Sequence, residues 1–251
     1  MAPHISIHAE EIFRIAGFPV TNALLLSFLS LIILCILAIA IRRRLRMVPN
    51  ALQSVAELIM EGALSFMDSV LFDRRKSEKY LPLVLTIFLF VLLSNWLGLL
   101  PGVGSIIVSR GGETVPLFRS PASDLNFTIA LALISVTIAN VFGVAVIGLR
   151  SRLKVFFNFK GPIQFFVGIL EIISEFAKII SFSFRLFGNV FAGEVLLTIM
   201  AFLVPYAAPL PFMFMEIFVG FIQAFIFSML TLVFIGMAIS DEHVETAESH
   251  A

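Results

Sequence analysis

Three stretches of this sequence, Thr21 to Ile41, Leu81 to Leu100 and Leu125 to Leu149, contain no charged side chain. About 20 apolar residues, each rising about 1.5 Å in a helix, cross a hydrocarbon core of roughly 30 Å, so each stretch is long enough to span a bilayer once. Composition leads the same way. Of the 251 residues 59% are hydrophobic and 14% charged, and 28 are Phe. Polar groups are too few to wet the surface of a soluble body of this size. The expected fold class is an all-α integral membrane protein, a single polytopic membrane domain over residues 1–251.

The same composition removes other classes. Formal net charge is zero and the basic residues fall in small loop clusters, so there is no footprint for nucleic acid. The one cysteine, Cys35, lies inside an apolar run and excludes an intrachain disulfide. Residues 1–20 carry His4, His8, Glu10 and Glu11 but no basic start followed by an apolar stretch and a small-residue cleavage site. They are read as an outer segment, not a cleavable signal. No metal and no cofactor is expected.

Basic clusters orient the spans. Arg42, Arg43, Arg44 and Arg46 follow the first span at once, which marks that end as cytoplasmic and puts the N-terminus outside. Residues 51–72 mix Val55, Leu58, Ile59, Leu64, Phe66 and Leu71 with Glu57, Glu61 and Asp68, the pattern of an amphipathic helix lying on the inner interface. Arg74, Arg75, Lys76 and Lys79 precede the second span, whose far end carries Trp96 as an aromatic-belt residue. Residues 101–124, with three prolines and four glycines, read as an ordered outer loop. The third span returns to Arg150, Arg152, Lys154 and Lys160 on the inside.

The last third departs from this rhythm. Residues 163–204 form a largely apolar stretch of 42 residues without proline, about 63 Å as one helix and roughly twice the core thickness. It either bends into two short spans near Gly188 to Gly193 or crosses steeply tilted. The segment Pro205 to Pro211 makes a turn, and Phe212 to Ser240 forms a second over-long helix. Two tilted helices packed as a hairpin are the expected arrangement. That gives five crossings and an inside C-terminus, with Asp241 to Ala251 as an acidic tail.

Between Gly161 and Ser240 stand Glu171, Glu175, Lys178, Arg185, Glu194 and Glu216. Each costs about 2.5 to 3.5 kcal/mol at the centre of a membrane helix, so function is the default reading. Glu171, Lys178 and Arg185 are seven apart and share one face, with Glu175 and Asn189 beside it. Glu171, Glu175 and Lys178 lie near the basic loop, where pairing with one another explains them as well as chemistry does. Arg185 sits deeper and stays protonated, a fixed cation. Glu194, nine positions on, lies on the opposite face about 13.5 Å along the axis. It is expected to face away from its nearest cation and so to take up and release protons. Glu216 and Gln223 share a face of the second helix. In an antiparallel hairpin Gln223 approaches the level of Arg185 and Glu216 that of Glu194; a hydrogen bond that merely bridges helices is the plainer account of Gln223.

The run Ser181 to Glu194, SFSFRLFGNVFAGE, together with QAFIF at Gln223 to Phe227, closely resembles the membrane-embedded a subunit of F-type ATP synthases. SNWLGLLPG at Ser94 to Gly102 and SPASDLNFTIALAL at Ser120 to Leu133 extend the likeness over most of the chain from about residue 50. The resemblance implies a proton-translocating stator subunit with two offset half-channels, in a bacterial inner membrane. Its implied partners are a ring of c subunits, each bearing one membrane carboxylate, and the b subunits of a peripheral stalk, with no direct nucleotide binding. Arg185 is then the arginine that faces the ring. Asn189, Glu194, Glu216 and Gln223 line the half-channels or orient the arginine, Ser181 belongs to the same proton path, and Asp124 and Asn126 help form the outer entrance. Some relatives carry histidine at the position of Glu216.

Two other classes also place ionisable groups at depth. A secondary transporter is expected to carry inverted repeats, and none is visible. For an intramembrane enzyme the histidines all lie outside the spans, at 4, 8, 243 and 250, and no HExxH or GxSxG occurs. A purely structural scaffold has no use for Arg185.

Overall fold

The computed structural model describes residues 9–15, 17–43, 45–100, 103, 106–110, 113–150, 161–205 and 208–240. Outside the described residues lie His4 and His8, Arg44, the Pro101–Gly102 end of one motif, Arg152, Lys154 and Lys160, turn residues 206 and 207, and the acidic tail. Six α-helices dominate the described residues: α1 (Asn22–Arg43), α2 (Ala51–Leu71), α3 (Arg74–Leu99), α4 (Leu125–Ile147), α5 (Pro162–Leu203) and α6 (Pro209–Ser240). All but α2 are long and apolar enough to cross a membrane, and the chain is an all-α, multi-pass integral membrane protein.

Helix ends follow local chemistry more than hydropathy. The Asp73 carboxylate accepts from the backbone N–H of Arg75 at 2.9 Å and of Lys76 at 3.4 Å, an N-cap that starts α3 seven residues before its apolar stretch. Phe72, at φ 52° in the left-handed region, closes α2 and turns the chain directly into α3. Arg74 ties this corner, reaching Asp68 at 2.7 Å and Glu78 at 3.1 Å. The helices α5 and α6 both begin with a proline in their first turn, where no intrahelical N–H is needed. Helix α5 is unbroken over 42 residues. Of the two arrangements open to this stretch, a pair of short spans is therefore excluded. At about 63 Å, α5 fits the apolar layer only when strongly inclined.

Two short antiparallel hairpins stand where the sequence reads as coil. Strands β1 (Glu11–Ile15) and β2 (Phe18–Thr21) pair ahead of α1, turning at Gly17 with φ 87°. Strands β3 (Ile107–Arg110) and β4 (Glu113–Pro116) pair within the loop between α3 and α4. Strands of four or five residues leave little trace beside 20-residue apolar runs. Buried Asn22 links the two hairpins, accepting from Glu10 N at 3.2 Å and donating to Pro116 O at 3.4 Å.

Helix α6 is the centre of the bundle, packed against α3, α4 and α5, while α1 lies outside, chiefly against α3. One core cluster joins Val91 of α3, Ala132 of α4, Phe182 and Leu186 of α5, and Ala224 and Phe227 of α6. A second joins Met67 of α2, Tyr80 and Val84 of α3, Ala139 of α4, and Leu232 and Ile235 of α6. Lipid tails are as apolar as these side chains, so association depends on close packing through small residues and on interhelical hydrogen bonds. Both devices are present. A Cβ at Gly143 would lie 3.0 Å from Ala238 Cβ, and the hydroxyls of Thr128 and Ser183 join α4 to α5 at 3.0 Å. Near the outer loop a Cβ at Gly98 would come within 2.6 Å of Ser120 Cβ and 3.0 Å of its Cα.

Gly98→Ala therefore forces the backbone around Ser120 to move, and is expected to destabilise the detergent-solubilised protein by about 1–3 kcal/mol, read as a lower thermal midpoint. Gly62→Ala on α2, where nothing lies within 4 Å of the new methyl group, raises stability by up to about 1 kcal/mol through helix propensity. Equal effects at the two positions contradict this packing.

Candidate functional site

Four contacts fix the register of α5 against α6. Gly193 lies against the carboxylate of Glu216; Arg185 and Gln223 face one pocket; Phe182 stacks edge-on against Phe227 at 4.7 Å; and the Lys178 ammonium sits 5.3 Å from the ring centre of Phe234. Residue numbers fall along α5 as they rise along α6, so the two helices form an antiparallel hairpin. This register brings Gln223 to the level of Arg185 and Glu216 to the level of Glu194.

Arg185 is exposed on the flank of α5. Its guanidinium Nη2 donates to Ser181 Oγ one turn earlier at 3.4 Å, a length at which a hydrogen bond is weak. No carboxylate of the described residues comes within ion-pair distance of it. Asn189, one turn on, is exposed on the same face, as are Ala177, Gly188 and Ala192. Gln223, 8% exposed, approaches from behind. The pocket it shares with Arg185, Phe182, Leu186 and Phe227 is only about 10 Å³, near the lower limit for one water molecule.

At the next polar level Glu194 is not isolated. Arg119, on the segment between β4 and the 3-10 turn Pro121–Ser123, donates Nε–H to both carboxylate oxygens at 3.0 and 3.3 Å. Glu194 makes no ion pair with Arg185, as expected, but the inference that it is therefore without a cation is corrected, because one comes from a loop 75 residues earlier in the chain. Glu216 is 5% exposed and, among the described residues, has no ion-pair partner. A side chain at position 193 would displace its carboxylate, so Gly193 is what lets α6 present an acid against α5. Asp124 caps α4, accepting from Asn126 N at 3.0 Å and Asn126 Nδ2 at 3.3 Å. The two residues stand together just after the 3-10 turn that follows Arg119.

A third polar level lies ten residues before Arg185, about 15 Å along the helix. Lys178 donates to Glu175 Oε1 at 2.7 Å, and Asn140 of α4 donates to Glu175 Oε2 at 3.0 Å. Both charged side chains are largely buried. The pairing expected from sequence is present for Glu175 and Lys178, whereas Glu171, expected to join them, makes no ion pair among the described residues.

Sequence reasoning passed over Arg119, Asn95 and Gly193. Asn95, 2% exposed, donates to Gly220 O at 3.3 Å one turn from both Glu216 and Gln223. The available signals were a lone arginine five residues before Asp124 and a glycine adjoining a membrane glutamate. Neither identifies its partner without the fold.

Lateral exposure of a lone guanidinium on a membrane helix, flanked along the axis by acidic groups, is an arrangement suited to handling protons at a protein–protein contact. Comparison with known proteins points to one family. A family model described as ATP synthase A chain matches residues 24–236. The chain is similar to the ATP synthase subunit a of Helicobacter pylori, 35% identical over 242 residues that cover 93% of this chain and 98% of the relative. It is also similar to the ATP synthase subunit a of Campylobacter jejuni subsp. doylei, 35% identical over 210 residues, or 82% of this chain and 85% of the relative. With a match of this extent, the chain belongs to the ATP synthase A chain family.

Proposed function

We propose that this chain is the proton-translocating stator subunit of the membrane sector of an F-type ATP synthase, set beside a ring of c subunits that each carry one carboxylate within the membrane. The observation that carries the reading is the exposure of Arg185 on the flank of a membrane-spanning helix with no carboxylate of the described residues paired to it. A guanidinium cannot shed its charge, and bare charge against lipid is prohibitive. A partner must cover this face, and an acid-bearing one suits it. Exposed Ala177, Gly188 and Ala192 support a close approach, since small residues let membrane helices pack backbone to backbone.

The chemistry follows from that contact. A ring carboxylate crosses lipid only when neutral. Beside Arg185 the ionised form is favoured, so each arriving acid gives up its proton to one half-channel and regains one from the other after moving on. The same positive charge repels a proton from passing straight between the half-channels. Glu194 and Glu216, with Asp124 and Asn126 at the entrance, line the outer one; Asn189, Ser181 and Gln223 hold the arginine's surroundings polar. The offset of about 13.5 Å between Arg185 and Glu194 along α5 supports separate access on the two sides of the arginine. One charge falling through 100 mV yields about 2.3 kcal/mol, which successive protons sum into torque. The N-terminus lies outside and the C-terminus inside a bacterial inner membrane, and the exposed apolar face of α2 suits the inner interface beside the b subunits.

In inverted vesicles carrying the assembled synthase, Arg185→Ala is expected to cut ATP-driven acidification by on the order of a hundredfold or more, the rate equivalent of about 2.5–3.5 kcal/mol. It also raises passive proton leak once the catalytic head is stripped. Normal pumping by this variant would return the chain to the class of structural scaffolds. At Gly188 an added Cβ meets nothing within 4 Å inside the chain, and Gly188→Leu, directed outward from there, is expected to leave the subunit folded yet slow pumping by about tenfold or more through overpacking against the ring. A silent Gly188→Leu means that no rotor faces this surface.

A further inference from the structure

The run Ser94 to Trp96 stands on α3 opposite the turn of α6 that lies between Glu216 and Gln223. We infer that Asn95 and Trp96 are positioning residues for translocation. Together they clamp α6 at the height and rotation that set Glu216 against Gly193 and Gln223 beside Arg185. The inference rests on the proposed function and deepens it, giving a role to two neutral residues that exchange no proton themselves.

Both donors end on main-chain carbonyls of α6. Asn95 Nδ2 donates to Gly220 O at 3.3 Å, and the Trp96 indole Nε1–H donates to Ile217 O at 3.1 Å. These acceptors are three residues apart, about 4.5 Å along the helix axis, so they hold α6 at two heights at once. Gly220 makes the approach possible, because a Cβ there would lie 3.3 Å from Asn95 Cβ and 3.7 Å from Trp96 Cδ1. Asn95 is 2% exposed, and a buried amide N–H that loses its acceptor carries the full cost of desolvation. Trp96, read from sequence as an aromatic-belt residue, is 41% exposed, yet its N–H is committed to α6.

The clamp lies between the two polar residues of α6 that the proposed path uses. Glu216 directly precedes Ile217, and Gln223 follows Gly220 by three residues. Sliding α6 by one residue moves it about 1.5 Å and turns it about 100°, which carries Glu216 off Gly193 and Gln223 out of the pocket it shares with Arg185. Misplacement by about 1 Å costs up to about a hundredfold in rate where reacting groups must be aligned. A single hydrogen bond between membrane helices is weak. Two from neighbouring side chains resist sliding and rotation together. Toward the other end of α3 the contact with α6 is made by packing, with Phe88 edge-on to Phe221 at 5.9 Å and Val84 in one core cluster with Leu232. That packing supplies a control.

Two measurements test this. Trp96 is the one tryptophan of the chain, so in the purified full-length subunit resonance Raman of the indole N–H reads its hydrogen bond alone. A bonded N–H is expected, and an unbonded one overturns the inference. In inverted vesicles of the assembled enzyme, with complex content measured by immunoblot, Trp96→Phe and Asn95→Leu keep apolar bulk and remove the donors. Each is expected to slow ATP-driven proton pumping per complex by about threefold, and the double variant by about tenfold or more. Leu232→Ala, which truncates a fully buried side chain of the same helix, is expected to lower the thermal midpoint at least as far as the double variant yet to pump near the wild-type rate. A double variant that pumps normally overturns the inference. Leu232→Ala slowed as much as the double variant overturns it too, because the clamp then contributes general stability and no positioning. Should the double variant not assemble, Trp96→Phe alone is read by the same comparison, and failure of both to assemble reduces the clamp to a folding element and ends the proposal. If Arg185→Ala pumps normally, it is the functional reading itself that fails, while the Raman signature still reports whether the bond to α6 exists.

Discussion

A positive charge that cannot be neutralised by proton loss, held against the hydrocarbon face of a membrane helix, constrains everything else in this molecule. Arg185 is exposed, its one intrachain hydrogen bond among the described residues is long, and lipid offers no solvation in exchange. A chain that kept such a residue without using it would carry a penalty of several kcal/mol for nothing. The length of α5 belongs to the same constraint. Because the helix runs unbroken for 42 residues, it arrays three polar levels along one rod, with Arg185 in the middle and acidic groups more than 10 Å away on either side. Two short spans could not hold these distances fixed.

The rod is positioned from behind by close packing. Helix α6 is gripped by α3 and α4 through glycine and alanine contacts such as Gly143 on Ala238 and Gly220 on Asn95. Lipid supplies no hydrophobic drive between helices, so these approaches and the Thr128–Ser183 bond set where α5 and α6 lie. The outer loop contributes in the same way. Its 3-10 turn packs on α3, α4 and α5, and the residues on each side of it, Arg119 and Asp124, are thereby held at the end of the site.

Features governed by local chemistry were legible in the sequence. Apolar runs of membrane length announce α1, α3 and α4, and the over-long pair of C-terminal runs announces a tilted hairpin. Glu216 and Gln223, seven apart, fall on one face because helical periodicity requires it. The meeting of Gln223 with Arg185 and of Glu216 with the Glu194 end follows from an antiparallel register alone. Other features depend on contacts distant in the chain. Glu194 looked solitary because its cation lies 75 residues away in a loop whose fold depends on two four-residue strands. Helix α3 begins at Arg74 because Asp73 caps it, a short-range signal hidden by attention to charge-free length. The role of Gly193 is set by the Glu216 side chain on another helix, and its place beside Glu194 in the sequence does not identify that partner.

The pairing of the other charges explains why Arg185 remains available. On the same helix Glu175 is taken by Lys178 and Asn140, and Glu194 is taken by Arg119. Had either acid been unpartnered and flexible enough to reach the arginine, the subunit would neutralise its own cation, and under the proposed function an arriving ring acid would find no reason to ionise. Local pairing at both ends therefore does more than offset buried charge. It confines these charges to their own levels and leaves Arg185 exposed with no carboxylate of the described residues paired to it. Under the proposed function, a subunit with this distribution acts on a passing carboxylate while its own paired charges stay in place from one step to the next.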